Sequence, residues 1–347
     1  MFFSRRMEWK VKKEGSSAMM RVQFWGDRGS VPAPLTGAAV QQKVRDALIG
    51  YAAKREQYPE LDADAYMRSL PVSAVSTYGG NTSCVEVCCD DTRLVLDMGT
   101  GIRPLGNSLF GEMLKNRGLD ITFLVSHVHW DHIQGLPFFG PLYINKETGI
   151  KNTWNFYGGT NWMQTVEVCL HGQMDPPNFP VSWDEIAAIT HKIDPHSLYD
   201  MKQFEVGPVK VKTRKLNHPQ ETYGFRIEYD GKVFAYTTDN EPFDPSNPDP
   251  RLLELCRGAD VWVTDSQYLK SIYEGKEGGV PRHGWGHSYP EAVAATAVLG
   301  DVHRTVLFHY DPASSDERIE QMQSICQGLL ESGQTAIAAK EGLVIEV

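Results

Sequence analysis

Apolar positions along the chain follow two periods. Stretches that alternate apolar and polar residues, or run apolar without a break between turn residues, predict strands over 21–25, 84–88, 93–96, 121–125, 204–216, 222–229, 232–237, 261–264 and 305–308. Asp90-Asp91, Gly207-Pro208 and Asp230-Gly231 supply the turns of three hairpins. Helical spacing takes over at Val44, Leu48, Tyr51 and Ala52, predicting a helical segment over 38–69 that Pro71 ends. Further helices are predicted after Gly101 as far as Arg117 and over 164–170, 183–189, 250–258, 289–299 and 316–331, with a terminal strand over 335–347.

The strands share a feature: one after another ends in a polar residue, namely Asp97, His127, His218, Asp239, Asp265 and His309. The densest of these ends is Ser126-His127-Val128-His129-Trp130-Asp131-His132, which follows the apolar run 121–125. Three imidazoles and a carboxylate within six residues, carried on the mouth of a buried strand, are metal-ligand chemistry. The turn lets His127 and His129 point one way and Asp131 and His132 another, so two adjacent ions can share the stretch. Asp97, at a strand end before Met98-Gly99-Thr100-Gly101, is either a helix cap or the carboxylate that holds a ligating histidine.

Composition narrows the class. The chain has 347 residues, 41% of them hydrophobic and 22% charged, in the range of a globular protein. Its formal net charge of -10 disfavours a long polyanion as partner, whereas a small anionic substrate that meets metal ions directly is compatible with it. Cys84, Cys88, Cys89, Cys169, Cys256 and Cys326 lack zinc-knuckle spacing and read as reduced thiols of a cytoplasmic protein. No stretch has the length of a membrane helix, and residues 1–14 lack the apolar core of a signal peptide. Residues 1–19 read as a loose extension, and 20–347 as one domain with insertions at 38–75 and 141–205 that shape the pocket or a homodimer contact.

The His-x-His-x-Asp-His stretch, followed in order by His218, Asp239 and His309 and preceded by Asp97, resembles the metallo-β-lactamase superfamily over about residues 20–330. Phe24-Trp25-Gly26, Arg28-Gly29-Ser30, 79–84, 97–102 and Gly284-Trp285-Gly286-His287-Ser288 resemble its branch near ribonuclease Z and small phosphodiesterases, some of them acting on cyclic nucleotides. The resemblance implies an α+β, four-layer αββα sandwich with helical insertions. It also implies two divalent ions, zinc or else manganese or iron. His127, His129 and His218 would hold one, Asp131, His132 and His309 the other, and Asp239 would bridge them. No position of that ligand set is replaced by the acid that redox relatives carry.

Two such ions roughly 3.5–4 Å apart can share a hydroxide and clamp the oxygens of a phosphodiester. The expected activity is therefore two-metal hydrolysis of a small phosphodiester such as a cyclic nucleotide, with Asp131 and His287 as catalytic residues. His287 would protonate the leaving alkoxide or bind phosphate; otherwise it starts a helix with Ser288 as cap. The resemblance also points to Arg28, Asn81 and Tyr268 as pocket residues. His171, His191, His196, His283 and His303 have no such context. Other readings of the same ligand set are a ribonuclease Z-like RNA-processing nuclease, a thioester or lactone hydrolase, and a non-hydrolytic di-iron sensor. The nuclease reading lacks an obvious basic arm: Lys43, Arg45, Lys54, Arg55 and Arg68 are interspersed with acids.

Overall fold

A computed structural model describes residues 19–159, 172–244 and 248–347. The chain builds two seven-stranded sheets. The first contains β1 (Met20–Gly26), β2 (Cys84–Cys89), β3 (Thr92–Leu96), β4 (Asp120–Leu124), β5 (Thr153–Gly158) and β6 (Lys192–Ser197), and is joined by the last strand of the chain, β14 (Val344–Glu346). The second contains β7 (Gln203–Val206), β8 (Val209–Lys215), β9 (Tyr223–Tyr229), β10 (Lys232–Thr237), β11 (Val261–Asp265), β12 (Arg304–Phe308) and β13 (Thr335–Ala338). The spatial orders are β14-β1-β2-β3-β4-β5-β6 and β13-β12-β11-β10-β9-β8-β7.

The sheets face each other across one apolar layer. Val22, Phe24, Val85, Val87 and Leu96 from the first meet Phe225, Ile227, Phe234, Val263 and Phe308 from the second. The outer faces are covered too. The helix Ile102–Asn116 buries Ile102, Leu105, Leu109 and Met113 against Phe123 and Trp154. The helices Pro250–Cys256, Pro290–Leu299 and Asp316–Leu329 cover Ala235, Trp262 and Leu307. This is the expected αββα sandwich, and it explains why β2 is buried at all six positions: both faces of the strand are covered.

Three stretches depart from the sequence reading. The helical segment 38–69 is two helices, α1 (Gly37–Gln57) and α2 (Ala63–Ser69), separated at Pro59, with Asp62 capping the second through Ala65. Despite its periodicity α1 buries no residue, and Val40, Val44, Leu48 and Ile49 are exposed. The terminal strand 335–347 divides between the sheets, because Lys340-Glu341-Gly342 carries the chain from β13 to β14. The segment 141–205 supplies β5 and β6; β6 carries Pro195 and sits at the sheet edge, where a proline is tolerated. The helix expected over 164–170 lies outside the described residues. Among the described residues no helix is long and apolar enough to cross a membrane.

Candidate metal centre

Strand direction gathers the polar ends. β3 and β4 run parallel, as do β10, β11 and β12, so the residues after their carboxyl ends fall along one edge of the sandwich. Asp97, Asp239 and His309 each take a left-handed backbone there, with φ of 61°, 52° and 63°. That conformation is costly for a side chain other than Asn or Asp, and it turns each residue sharply back over the sheet end.

Seven donor residues converge. His127 Nε2 lies 3.0 Å from His129 Nδ1, which lies 3.1 Å from His218 Nε2. Beside them, His132 Nε2 lies 3.2 Å from His309 Nε2 and 3.3 Å from Asp131 Oδ2. Asp239 stands between the groups and divides its oxygens: Oδ2 is 3.5 Å from His127 Nε2, and Oδ1 is 3.2 Å from His132 Nε2 and 3.3 Å from His309 Nε2. Within each of the groups His127, His129, His218 with Asp239, and Asp131, His132, His309, donor atoms lie within 4.8 Å of one another.

The far side of most rings is held. The Asp97 carboxylate accepts from His132 Nδ1 at 2.9 Å, from the Ser126 amide at 2.8 Å and hydroxyl at 2.9 Å, and from the Tyr236 hydroxyl at 2.8 Å. Ser126 Oγ in turn lies 3.1 Å from His127 Nδ1. His218 Nδ1 donates to the Gly286 carbonyl at 3.1 Å, and His309 Nδ1 lies 3.4 Å from Asp265. A carboxylate or carbonyl only accepts, so on His132, His218 and His309 Nδ1 carries a proton and Nε2 faces inward, whereas His129 turns its Nδ1 inward. Two inward Nε2 atoms 3.2 Å apart, on His132 and His309, must share a proton or face a cation. Imidazole and carboxylate donors in this arrangement fit a divalent metal.

Electrostatics agrees. Burial alone would lower His132, but Asp131, Asp239 and Asp97 outweigh it and hold the ring well above the usual imidazole range. Burial is likewise outweighed at His309, which Asp239, Asp131 and Asp265 push up to about 10. Without an ion these carboxylates draw protons onto their neighbours; an ion supplies the charge instead. Burial keeps His127, His129 and His218 below their ordinary value, so they stay neutral and available as ligands.

His287 stands beside the cluster. Its Nδ1 lies 2.7 Å from Asp265 Oδ2, its ring stacks on His309 at 5.2 Å, and the Tyr268 ring meets it edge-on at 6.0 Å. Arg28 does not reach the donors: its buried guanidinium donates to the Gly79 carbonyl at 2.9 Å and the Ser314 carbonyl at 2.8 Å, with Asp316 at 3.7 Å, so it clamps the loop rather than lining a pocket. Asn81 enters the same turn through its backbone, accepting from the Asp27 and Arg28 amides and donating to Glu341.

Other contributors carry no sequence signature. The Ser30 amide donates to Asp131 Oδ2 at 2.7 Å, and a side chain at the preceding Gly29 would fall 2.5 Å from the His309 ring. Asp265 was legible as a strand end, yet not as the carboxylate shared by His287 and His309. Glu241 is buried and accepts from the Tyr273 hydroxyl at 2.7 Å and from the Gly284 and Gly286 amides at 2.8 Å each. It thereby fixes the loop whose carbonyl holds His218, where a Cβ at Gly286 would lie 2.0 Å from the His218 ring.

With this geometry established, comparison with known proteins gives the class. A model of the beta-lactamase superfamily domain matches residues 92–310, and the chain belongs to that superfamily, a metallo-β-lactamase-fold hydrolase. It is similar to ribonuclease BN of Cronobacter sakazakii, 24% identical over 250 residues that cover 61% of this chain and 78% of that protein. It is also similar to ribonuclease BN of Escherichia coli, 30% identical over 151 residues, where it spans 45% of the relative's length and 44% of its own. Among solved structures, the metallo-beta-lactamase fold protein YhfI from Bacillus subtilis superposes with a TM-score of 0.59 at 17% identity, covering 95% of this chain and 100% of that one. A diphosphatase from the PhnP family superposes with a TM-score of 0.58 at 18% identity, covering 95% and 97%. At these identities the structural likeness establishes the fold.

Proposed function

We propose that the chain hydrolyses a small phosphodiester, such as a cyclic nucleotide, with His287 as the proton donor to the leaving oxygen. The observation that carries this reading is the Asp265–His287 pair, 2.7 Å apart, with the His287 ring stacked on His309 beside the donor cluster. His127, His129 and His218 would hold one divalent cation and Asp131, His132 and His309 a second, with Asp239 shared. Two such ions, zinc or else manganese or iron, would supply Lewis acidity and a water acidified towards neutrality. Asp265 accepts the His287 Nδ1 proton, which leaves the remaining nitrogen to protonate the departing alkoxide, and it stabilises the ring while that proton is carried. Asp97 and the Gly286 carbonyl keep the ligating rings aimed. Ser30 holds Asp131 through its backbone amide, so the carboxylate stays on the donor side.

The ribonuclease BN relatives favour a second reading, an RNA phosphodiester as substrate; the net charge of -10 argues for the small one.

The test is turnover of bis(p-nitrophenyl) phosphate by protein of known metal content, with cyclic AMP and a precursor tRNA alongside. Activity lost in Asp131→Ala supports the two-metal phosphodiesterase, and the two natural-type substrates then divide the readings. Protein that holds two ions and turns over no diester moves the assignment to a thioester or lactone hydrolase or a di-iron sensor. His287→Ala should slow a diester with an alkyl leaving group far more than one releasing p-nitrophenolate, because only the poor leaving group needs the proton. Equal slowing removes the donor role.

A further inference from the structure

Beside the donors, the glycine-rich loop that leads to His287 holds an aromatic ring in the open. Trp285 lies between Gly284 (φ 79°) and Gly286 (φ 88°), and the amides of both glycines are tied to the buried Glu241 carboxylate. A loop pinned on both sides of one residue presents that residue rigidly. The residue presented is a tryptophan that remains 50% exposed, although an indole ordinarily gains by burial. The Arg282 guanidinium lies 4.5 Å over its ring and 5.9 Å from the ring of Tyr268, which in turn meets His287 at 6.0 Å. The contacts therefore run in series through His287, Tyr268, Arg282 and Trp285: a proton donor, a phenol ring, a cation and a half-exposed indole with the cation over one face.

We propose that Arg282 and Trp285 form a specificity subsite for a nucleotide-like ester. The base stacks on the indole and Arg282 meets the negative charge of the phosphate while the ester lies on the donor cluster. The proposal rests on the phosphodiesterase reading and adds to it which chain groups select the substrate. The pinned indole supplies stacking area without an ordering cost, and stacking is tolerant of base identity because every base has a π-face. In a chain of net charge -10, an arginine at the rim of a carboxylate-lined centre is the group that draws an anion in.

The experiment is a calorimetric titration of the metal-loaded protein with adenosine 5′-monophosphate and with ribose 5-phosphate, which share the phosphate and differ in the base. The wild type should bind the nucleotide about tenfold more tightly, the scale of one stacked base. Trp285→Ala should erase that preference and Trp285→Phe should restore most of it. Arg282→Gln should weaken both ligands together. A wild type with no preference, or a preference that survives Trp285→Ala, overturns the subsite; unchanged affinities in Arg282→Gln overturn the role of the arginine.

Turnover separates this from the parent reading. Thymidine 5′-p-nitrophenyl phosphate and methyl p-nitrophenyl phosphate release the same phenolate, and the ratio of their kcat/KM values should fall about tenfold in Trp285→Ala. A base preference lost in Trp285→Ala, without turnover of either diester, keeps the subsite and removes the phosphodiesterase. Turnover of both with no base preference does the reverse.

Discussion

The two donor groups share Asp239 and stand in opposite surroundings. In one, His129 is exposed and His218 half-buried, and burial keeps the three imidazoles below their ordinary pKa. In the other, Asp131, His132 and His309 are all buried, and neighbouring carboxylates raise both imidazoles. The first group offers neutral ligands at an open mouth. The second is buried among the carboxylates of Asp97, Asp131, Asp239 and Asp265, whose charge is met by protons on its imidazoles or by a cation. One ion would thus serve exchange and access, and the other would be part of what holds the sandwich edge together.

Asp239, the residue both groups share, is where a substitution should do most damage. Asp239→Asn leaves one oxygen where the carboxylate offered two, so both ions should be lost or weakened. Turnover should fall about a thousandfold or more, beyond the 10–100-fold typical of residues that only orient ligands; metal analysis showing two retained ions would remove the bridging role. Next comes the contrast within the pair. His132→Ala removes the ion-pair partner of the buried Asp97 carboxylate, leaving it the Ser126 and Tyr236 hydrogen bonds, and should cost about 3–5 kcal/mol. His129→Ala, at an exposed ring, should cost at most about 1 kcal/mol. Denaturant midpoints measured side by side decide this, and equal shifts would erase the distinction.

Asp265→Asn should lower turnover about 10–100-fold by loosening His287 and His309 together; a rate within twofold of the wild type would show that the pair at 2.7 Å orients nothing. Finally, dilute chelator should remove metal in two phases, the faster from the half-exposed group. Release in a single phase would show that the groups do not differ in access.

Much of this centre is legible in the sequence because its densest part is contiguous: His127 to His132 lie on one turn after one strand. His218, Asp239 and His309 are dispersed: the rule that strands end in polar residues marks them with Asp97 and Asp265, and the family resemblance picks them out as ligands. What escapes is what the backbone does. The Ser30 amide on Asp131 and the Gly284 and Gly286 amides on Glu241 are properties of chain path, and no side-chain pattern announces them. Arg28 shows the opposite failure: the family resemblance points to it as a pocket group, and its partners are carbonyls of distant loops. In the fold, the periodicity of Val44 and Leu48 gives a helix correctly but promises a buried face that α1 lacks. The run 335–347 reads as one strand, but Lys340-Glu341-Gly342 turns the chain from one sheet to the other, with Gly342 at φ 81°.

The left-handed backbone at Asp97 and Asp239 also reorders which replacements are mild. Glutamate keeps the charge, and by the usual measure of similarity it is the gentle change. Here it brings a longer side chain, poorly suited to that conformation, into a space set by aspartate, whereas asparagine settles into the same turn with ease. At Asp239 the ordinary ranking inverts: asparagine preserves the architecture and silences the chemistry, and glutamate endangers both, whereas at Asp97 an asparagine amide would turn a donor toward the Ser126, His132 and Tyr236 donors. A library screened for folded yield would keep the inactive form and discard the charged one.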